Sequence, residues 1–262
     1  MLWVLWCWAL TFPLAGQTGR AVDFFLDPVG KVYLLLDDES LVTANPLGEN
    51  YYAFYDSSLG APDRIDVTNP FQILLYYAEY GKVVVLDRTL SELDRIDLFA
   101  NDAIRQPGAI ARSYDNGIWV FDAWDYRLLR LNERGEVDQR TNDLRLELDY
   151  PGEPSDIFVD RNAIMLHFPE TNQLAVFTNY GQFQRWVELP PAQTFSFQSP
   201  YLLGMDGERA WYWSPRDARE TSLGAIPVEL RQTDRIRPGL AGYLSLAPDR
   251  RSLVVTAYPE KN

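Results

Sequence analysis

Short apolar runs separated by polar corners recur along the chain, and Gly117 to Val137, GIWVFDAWDYRLLRLNERGEV, shows the unit most clearly. Ile118 to Phe121 is a β-branched and aromatic run, Asp122 to Tyr126 a polar corner, and Arg127 to Leu131 a second run. Asn132-Glu133-Arg134-Gly135 then reads as a hairpin turn, because glycine takes the positive φ that such a turn needs. Related units stand at Lys31 to Asn45, Phe71 to Leu93, Ala163 to Phe183, Arg209 to Leu230 and, cut short, Arg251 to Asn262. Their spacing is roughly 40 to 46 residues, the length of one four-stranded propeller blade. No stretch carries the periodicity of a long amphipathic helix. The pattern predicts an all-β fold: a β-propeller of four-stranded antiparallel blades, six of them with the last one partial, or else five.

Turn chemistry sets the phase of the blades. In the first, Val22 to Leu26 and Val32 to Leu36 flank Asp27-Pro28-Val29-Gly30, where proline and glycine stop the pairing and reverse the chain. Asn69-Pro70 does the same in the second, with Asn69 pushed to an extended conformation by the proline after it. The third turns at Asp115-Asn116-Gly117 and the fourth at Asp160-Arg161-Asn162. The fifth is read from Tyr201 to Gly204 through Asp206-Gly207 to Ala210 to Trp213, and is less regular from there to Leu230. Beyond it only Tyr243 to Leu246 and Leu253 to Ala257 read as strands.

The first sixteen residues, MLWVLWCWALTFPLAG, are uncharged and almost wholly apolar, and polar residues follow at once. This reads as a signal peptide over 1–16, cleaved between Gly16 and Gln17, ahead of a single propeller domain over 17–262. It is shorter than the roughly 20 apolar residues of a membrane span, so no span is expected in the mature chain. A buried first strand is the competing reading. Cys7 is the only cysteine and lies in the leader, so a mature chain would lack disulfides and cysteine zinc sites. The leader implies an exported protein: periplasmic, outer-membrane-associated or extracellular. A net charge of −13 repels phosphate backbones and anionic headgroups, which argues against nucleic-acid partners. Arg231, Arg235 and Arg237 are nonetheless candidates for a local basic patch.

Candidate chemistry is sparse. The only histidine, His167, sits inside the apolar run Ile164 to Phe168, which removes multi-histidine metal sites and points to a structural role. No G-x-S-x-G elbow, Walker loop or dinucleotide fingerprint occurs. Acids and aromatics gather instead at the corners between second and third strands, which lie on one face of a propeller. The candidate binding residues are Asp37 and Asp38, Glu79 and Tyr80, Asp122, Trp124 and Asp125, and Glu170. Trp124 stands between acids with no core to fill, whereas Trp119 and Trp211, read as equivalent second-strand positions, are expected to pack between blades. No cofactor is indicated, although oxygen ligands from several blades could hold Ca²⁺.

With the repeat from Asp115 to Val137, the Asp66 to Leu74 signature and the apolar leader assembled, the chain resembles exported bacterial β-propeller-like proteins of the six-bladed TolB-like and NHL-type repeats. The resemblance covers nearly all of residues 22–257 and implies a non-catalytic protein-binding or scaffolding module of the cell envelope. The alternatives are a Ca²⁺-dependent hydrolase or lactonase of the six-bladed type, with Glu153, Asp102 and Asn101 as candidate inner ligands, and a glycan-binding propeller using Trp124 and Tyr80.

Overall fold

The computed structural model describes residues 9–13, 19–44, 52–214, 219–231, 233, 235–250 and 252–258. The expected cleavage site at Gly16-Gln17, the cysteine Cys7 and the corner Arg216-Asp217 lie outside the described residues.

Alternating and fully apolar runs bounded by Gly, Asn and Asp turns fold into six four-stranded antiparallel sheets, the blades of a β-propeller. The first strand, β1 (Ala9–Pro13), lies apart from its sequence neighbours. The first blade follows as β2 (Ala21–Leu26), β3 (Val32–Leu36), β4 (Leu41–Ala44) and β5 (Tyr52–Phe54). The second is β6 (Arg64–Asp66), β7 (Ile73–Tyr77), β8 (Lys82–Leu86) and β9 (Glu92–Asp97). The third is β10 (Pro107–Arg112), β11 (Ile118–Asp122), β12 (Arg127–Leu131) and β13 (Val137–Arg140), followed by the single-turn helix α1 (Arg145–Leu148). The fourth is β14 (Asp156–Asp160), β15 (Ala163–Phe168), β16 (Gln173–Thr178) and β17 (Phe183–Glu188). The fifth is β18 (Thr194–Gln198), β19 (Tyr201–Met205), β20 (Arg209–Trp213) and β21 (Glu220–Ala225). The sixth comprises β22 (Ile236–Pro238), β23 (Gly242–Leu246) and β24 (Ser252–Ala257), with β1 as its fourth strand.

The C-terminal stretch thus supplies three strands of its blade, and the leader supplies the fourth. β1 runs antiparallel to β24, with Ala9 opposite Thr256 and Pro13 opposite Ser252. In residues 9–13 the leader therefore takes the form of a strand, and the edge of β24 is covered.

The described residues fall into two compact units, one of Met1–Leu26, Gly30–Ala53 and Pro191–Asn262, the other of Asp27–Val29 and Phe54–Pro190. In both, apolar side chains fill the space between the faces of successive sheets. Trp119, Phe121 and Leu128 of the third blade meet Ile164, Leu166 and Phe177 of the fourth, for example. Full burial on both faces explains why β7, β11 and β15 are continuous apolar runs rather than alternating ones.

The phase of the fifth blade differs from the sequence reading. Thr194–Gln198 is its first strand, so Tyr201–Met205 is the second and Asp206-Gly207 is the corner between second and third strands. Trp211 therefore sits on the third strand, not in the position equivalent to Trp119, although both are fully buried. Gly204 opposite it has to be glycine, because a Cβ there would stand 2.2 Å from the indole.

Candidate functional site

The corner between second and third strands of every blade contains a residue in the left-handed region: Glu39, Gly81, Tyr126, Asn172, Gly207 and Arg250. Glycine and asparagine tolerate this backbone; a tyrosine at φ 50° does so only when its surroundings hold it. Tyr126 is completely buried, edge-on to Phe121 at 5.0 Å, 5.1 Å from the Tyr150 ring and beneath the Arg145 guanidinium at 5.1 Å. Its hydroxyl donates to the Gly152 carbonyl. Burial pushes the phenol well above its ordinary range, so it stays a donor.

Asp122 departs from the expectation of an exposed rim residue. It is fully buried, and its carboxylate accepts the backbone N–H groups of Arg105 (2.9 Å), Gln106 (3.2 Å), Trp124 (3.0 Å) and Asp125 (3.4 Å). The acid is consumed in clasping the corner to the loop before β10. Asp125 pairs with Arg127 at 2.7 Å. Trp124 itself projects outward with 60% of its surface exposed, and its carbonyl accepts Arg145 Nη2 at 2.7 Å.

That last bond ties α1 to the corner. The helix buries Leu148 and leaves Leu146 97% exposed, and the left-handed pair Asp149 (φ 58°) and Tyr150 (φ 43°) then turns the 57%-exposed Tyr150 back over Tyr126. Trp124, Leu146 and Tyr150 are thus exposed apolar side chains on two segments that Arg145 ties together, over a corner whose backbone is locked from beneath. The sequence reading found Trp124 but not its companions, because Leu146 and Tyr150 belong to the next blade-to-blade connection and join the corner through Arg145.

In the same unit, Glu79, Tyr80 and Glu170 occupy the equivalent corners of the second and fourth blades, all exposed. Asp37 and Asp38 occupy the first-blade corner in the other unit. Asp37 Oδ1 accepts the Arg20 N–H at 2.9 Å, and the Ser40 hydroxyl and N–H hold the Asp38 carboxyl below its usual range. Carboxylates accepting an N–H two residues on recur at Asp56, Asp66, Asp87 and Asp206, so much of the acidity of the chain serves its turns.

A second cluster escaped the sequence reading. Register places Asp156 of β14 directly opposite His167 of β15. Arg64, from β6, reaches Asp156 Oδ1 at 2.6 Å and the Ser155 carbonyl at 2.8 Å. Ser155 Oγ donates to Asp156 Oδ2 at 2.7 Å and lies 3.1 Å from His167 Nδ1, which is itself 3.7 Å from Asp156. A catalytic triad needs the hydroxyl and the carboxylate on opposite ring nitrogens; here both address Nδ1. Burial alone would raise the Asp156 carboxyl, but the neighbouring imidazole, the Arg64 charge and the Ser155 hydroxyl outweigh it and hold the acid well below the usual range. The arrangement is a strut joining the first strands of the second and fourth blades.

Among the described residues no group of three or more His, Cys, Asp or Glu side chains is placed to hold a metal. Glu153 and Asp102 are exposed, and the Asn101 amide is committed to the Gly135 carbonyl and the Ala103 N–H. No helix among the described residues is long and apolar enough to cross a membrane.

Several solved structures share this architecture. A streptogramin B lyase matches with a TM-score of 0.59 at 14% identity, over 97% of this chain and 88% of the other. A catalytically inactive variant of virginiamycin B lyase from Staphylococcus aureus with quinupristin gives 0.59 at 14% identity, over 96% and 88%. The Pan2 WD40 domain from Neurospora crassa gives 0.54 at 9% identity, over 97% and 95%. The chain has the propeller fold of these proteins. At such identities the likeness extends to the fold alone. No family model matches the sequence, and no curated protein matches it either.

Proposed function

We propose that this chain is a non-catalytic propeller that binds a protein partner in the bacterial cell envelope. The observation that carries the reading is the exposure of Trp124, Leu146 and Tyr150 over a corner immobilised by Asp122 and Tyr126. Aromatic side chains held out from a rigid backbone give large contact area at little entropic cost, and such residues dominate interface energetics. The exposed Glu79, Tyr80 and Glu170 on the neighbouring corners would supply the polar rim.

The deciding experiment is affinity capture from envelope extracts with wild type and Trp124→Ala. Wild type is expected to retain a partner that the variant loses. Retention by both proteins would sink the assignment of this corner.

The envelope assignment rests on the apolar leader, and β1 makes it testable in a specific way. Cleavage after Gly16 would strip β1 from β24 and leave that edge uncovered. Intact mass of protein from its native host reads this directly: a chain beginning at Gln17 supports export, whereas a full-length chain keeps β1 and removes the basis for the envelope.

An enzymatic reading draws on the lyases among the structural relatives. Its calcium-dependent form predicts a rise of several degrees in the melting temperature with calcium over chelator, since a ligand bound only by the folded state stabilises it by mass action.

A further inference from the structure

The three arginines of the basic patch converge. Arg231, Arg235 and Arg237, with Gln193, Thr194 and Thr233, line a cavity of about 180 Å³ between the fifth and sixth blades. It opens where the connection from β21 to β22 meets the Asp206-Gly207 corner, so all of its walls belong to one compact unit.

The guanidinium groups in it are unequally committed. Arg237 donates Nη2 to both Asp23 oxygens at 2.9 and 2.8 Å and Nη1 to the Phe24 carbonyl, and stacks on Phe24 and Phe25. Arg231 donates Nε to the Ile226 carbonyl at 3.0 Å, and no described acceptor takes its terminal nitrogens. Arg235 makes no side-chain hydrogen bond or ion pair among the described residues, and its charge acts unfavourably on Arg237. No carboxylate stands among the described residues that line the cavity, in a chain of net charge −13. The Thr194 hydroxyl is buried at the wall with no partner among the described residues. A smaller cavity of about 100 Å³ beside Arg112 differs in this respect, because Asp94 and Glu133 help to line it.

We infer that the cavity lined by Arg231, Arg235, Arg237 and Thr194 is a binding site for a phosphate-sized oxyanion, either inorganic phosphate or the phosphoryl end of a small monoester. Guanidinium forks match phosphate oxygens in geometry as well as charge. The volume of about 180 Å³ fits as well, with room for one tetrahedral anion and part of its hydration. Arg237, locked by Asp23, sets the wall, and Arg235 and Arg231 supply donors. The site is independent of the corner around Trp124, and Trp124→Ala should leave it unchanged.

Calorimetric titration of the full chain at constant ionic strength, with chloride as the reference anion, tests this. One arm uses inorganic phosphate and a second glycerol 3-phosphate, which separates the free anion from a monoester. Saturable binding at one site is expected, weakened about tenfold by Arg235→Gln, given what one charged hydrogen bond contributes. Melting in chloride should be the same for wild type and Arg235→Gln, which separates loss of the site from loss of the fold. Arg88→Gln, at an arginine that does not line the cavity, should bind as wild type does. Absence of binding in both arms, or equal weakening by Arg88→Gln and Arg235→Gln, would overturn the site.

Discussion

The corner around Trp124 and the cluster around Asp156 are built from similar residues and are put to opposite uses. At Asp156 an aspartate, a serine, a histidine and an arginine from two blades face one another, and the Asp156 carboxylate, the Ser155 hydroxyl, the Arg64 guanidinium and His167 Nδ1 meet within the cluster. At the corner the polar groups serve instead to fix the backbone: Asp122 accepts four N–H groups and the Tyr126 hydroxyl meets a carbonyl. What remains turned outward there is apolar. Residue type therefore says little about role in this fold; what separates a strut from a binding corner is which surface is left over once every hydrogen bond has been assigned.

The largest effect expected on stability comes from neither region but from the core that both lean on. Trp119 is buried between the third and fourth blades, and Trp119→Ala should cost about 3 to 5 kcal/mol by leaving a cavity. Asp122→Ala comes next. It strands several backbone donors in a buried place and should cost roughly 3 kcal/mol, measured with the first by urea unfolding. This variant sharpens the contrast, because a rim acid that served only a partner would leave unfolding unchanged.

The first four blades were legible because many of their turns carry Gly, Asn or Pro where the backbone needs it, as at Gly30, Asn116 and Gly135 with φ of 85°, 68° and 76°. The later ones were less so. β18, TFSFQ, does alternate polar and aromatic residues as a half-buried strand should, but a blade phased from Tyr201 passes over the strand before it. β22 has three residues, one of them proline, and β1 pairs with β24 across almost the whole chain. The candidate site was legible in part. Trp124 stood out as an aromatic without a core, but a carboxylate that caps a turn and one that faces solvent have the same letter, so Asp122 was misplaced. The strut of Arg64 and Asp156 depends on contacts 92 residues apart, for which local sequence offers no signal beyond the apolar setting of the one histidine.

Acid should reveal the strut. The Asp156 carboxyl is held below its ordinary value in the folded chain, so its contribution is complete above the unfolded pKa of about 3.9 and is lost as pH falls further. With the acid about three-tenths exposed, the loss should be about 2 kcal/mol, read as a fall in the urea midpoint between about pH 4 and pH 2. Asp156→Asn should be weaker than wild type at neutral pH and should flatten that slope. An unchanged slope in the variant would mean that other carboxylates, Asp56 among them, govern the acid response.

The smallest stability effect is expected at Trp124, and its smallness is the point. The side chain is 60% exposed, and the bonds that fix the corner run through its backbone: the N–H to Asp122 and the carbonyl from Arg145. Alanine keeps both. Trp124→Ala should therefore shift unfolding by less than about 0.5 kcal/mol, as surface substitutions away from special features do. Loss of a central aromatic anchor, by contrast, should weaken partner capture by about 2 kcal/mol, or some thirtyfold. Leu146→Ala, on the exposed side of α1, should reproduce the pattern in weaker form because it removes area without an aromatic ring. A Trp124→Ala protein that unfolds easily would place the corner with the strut, as architecture. A stable one that still captures the partner would leave the corner a solvated edge and move the binding surface elsewhere on the fold.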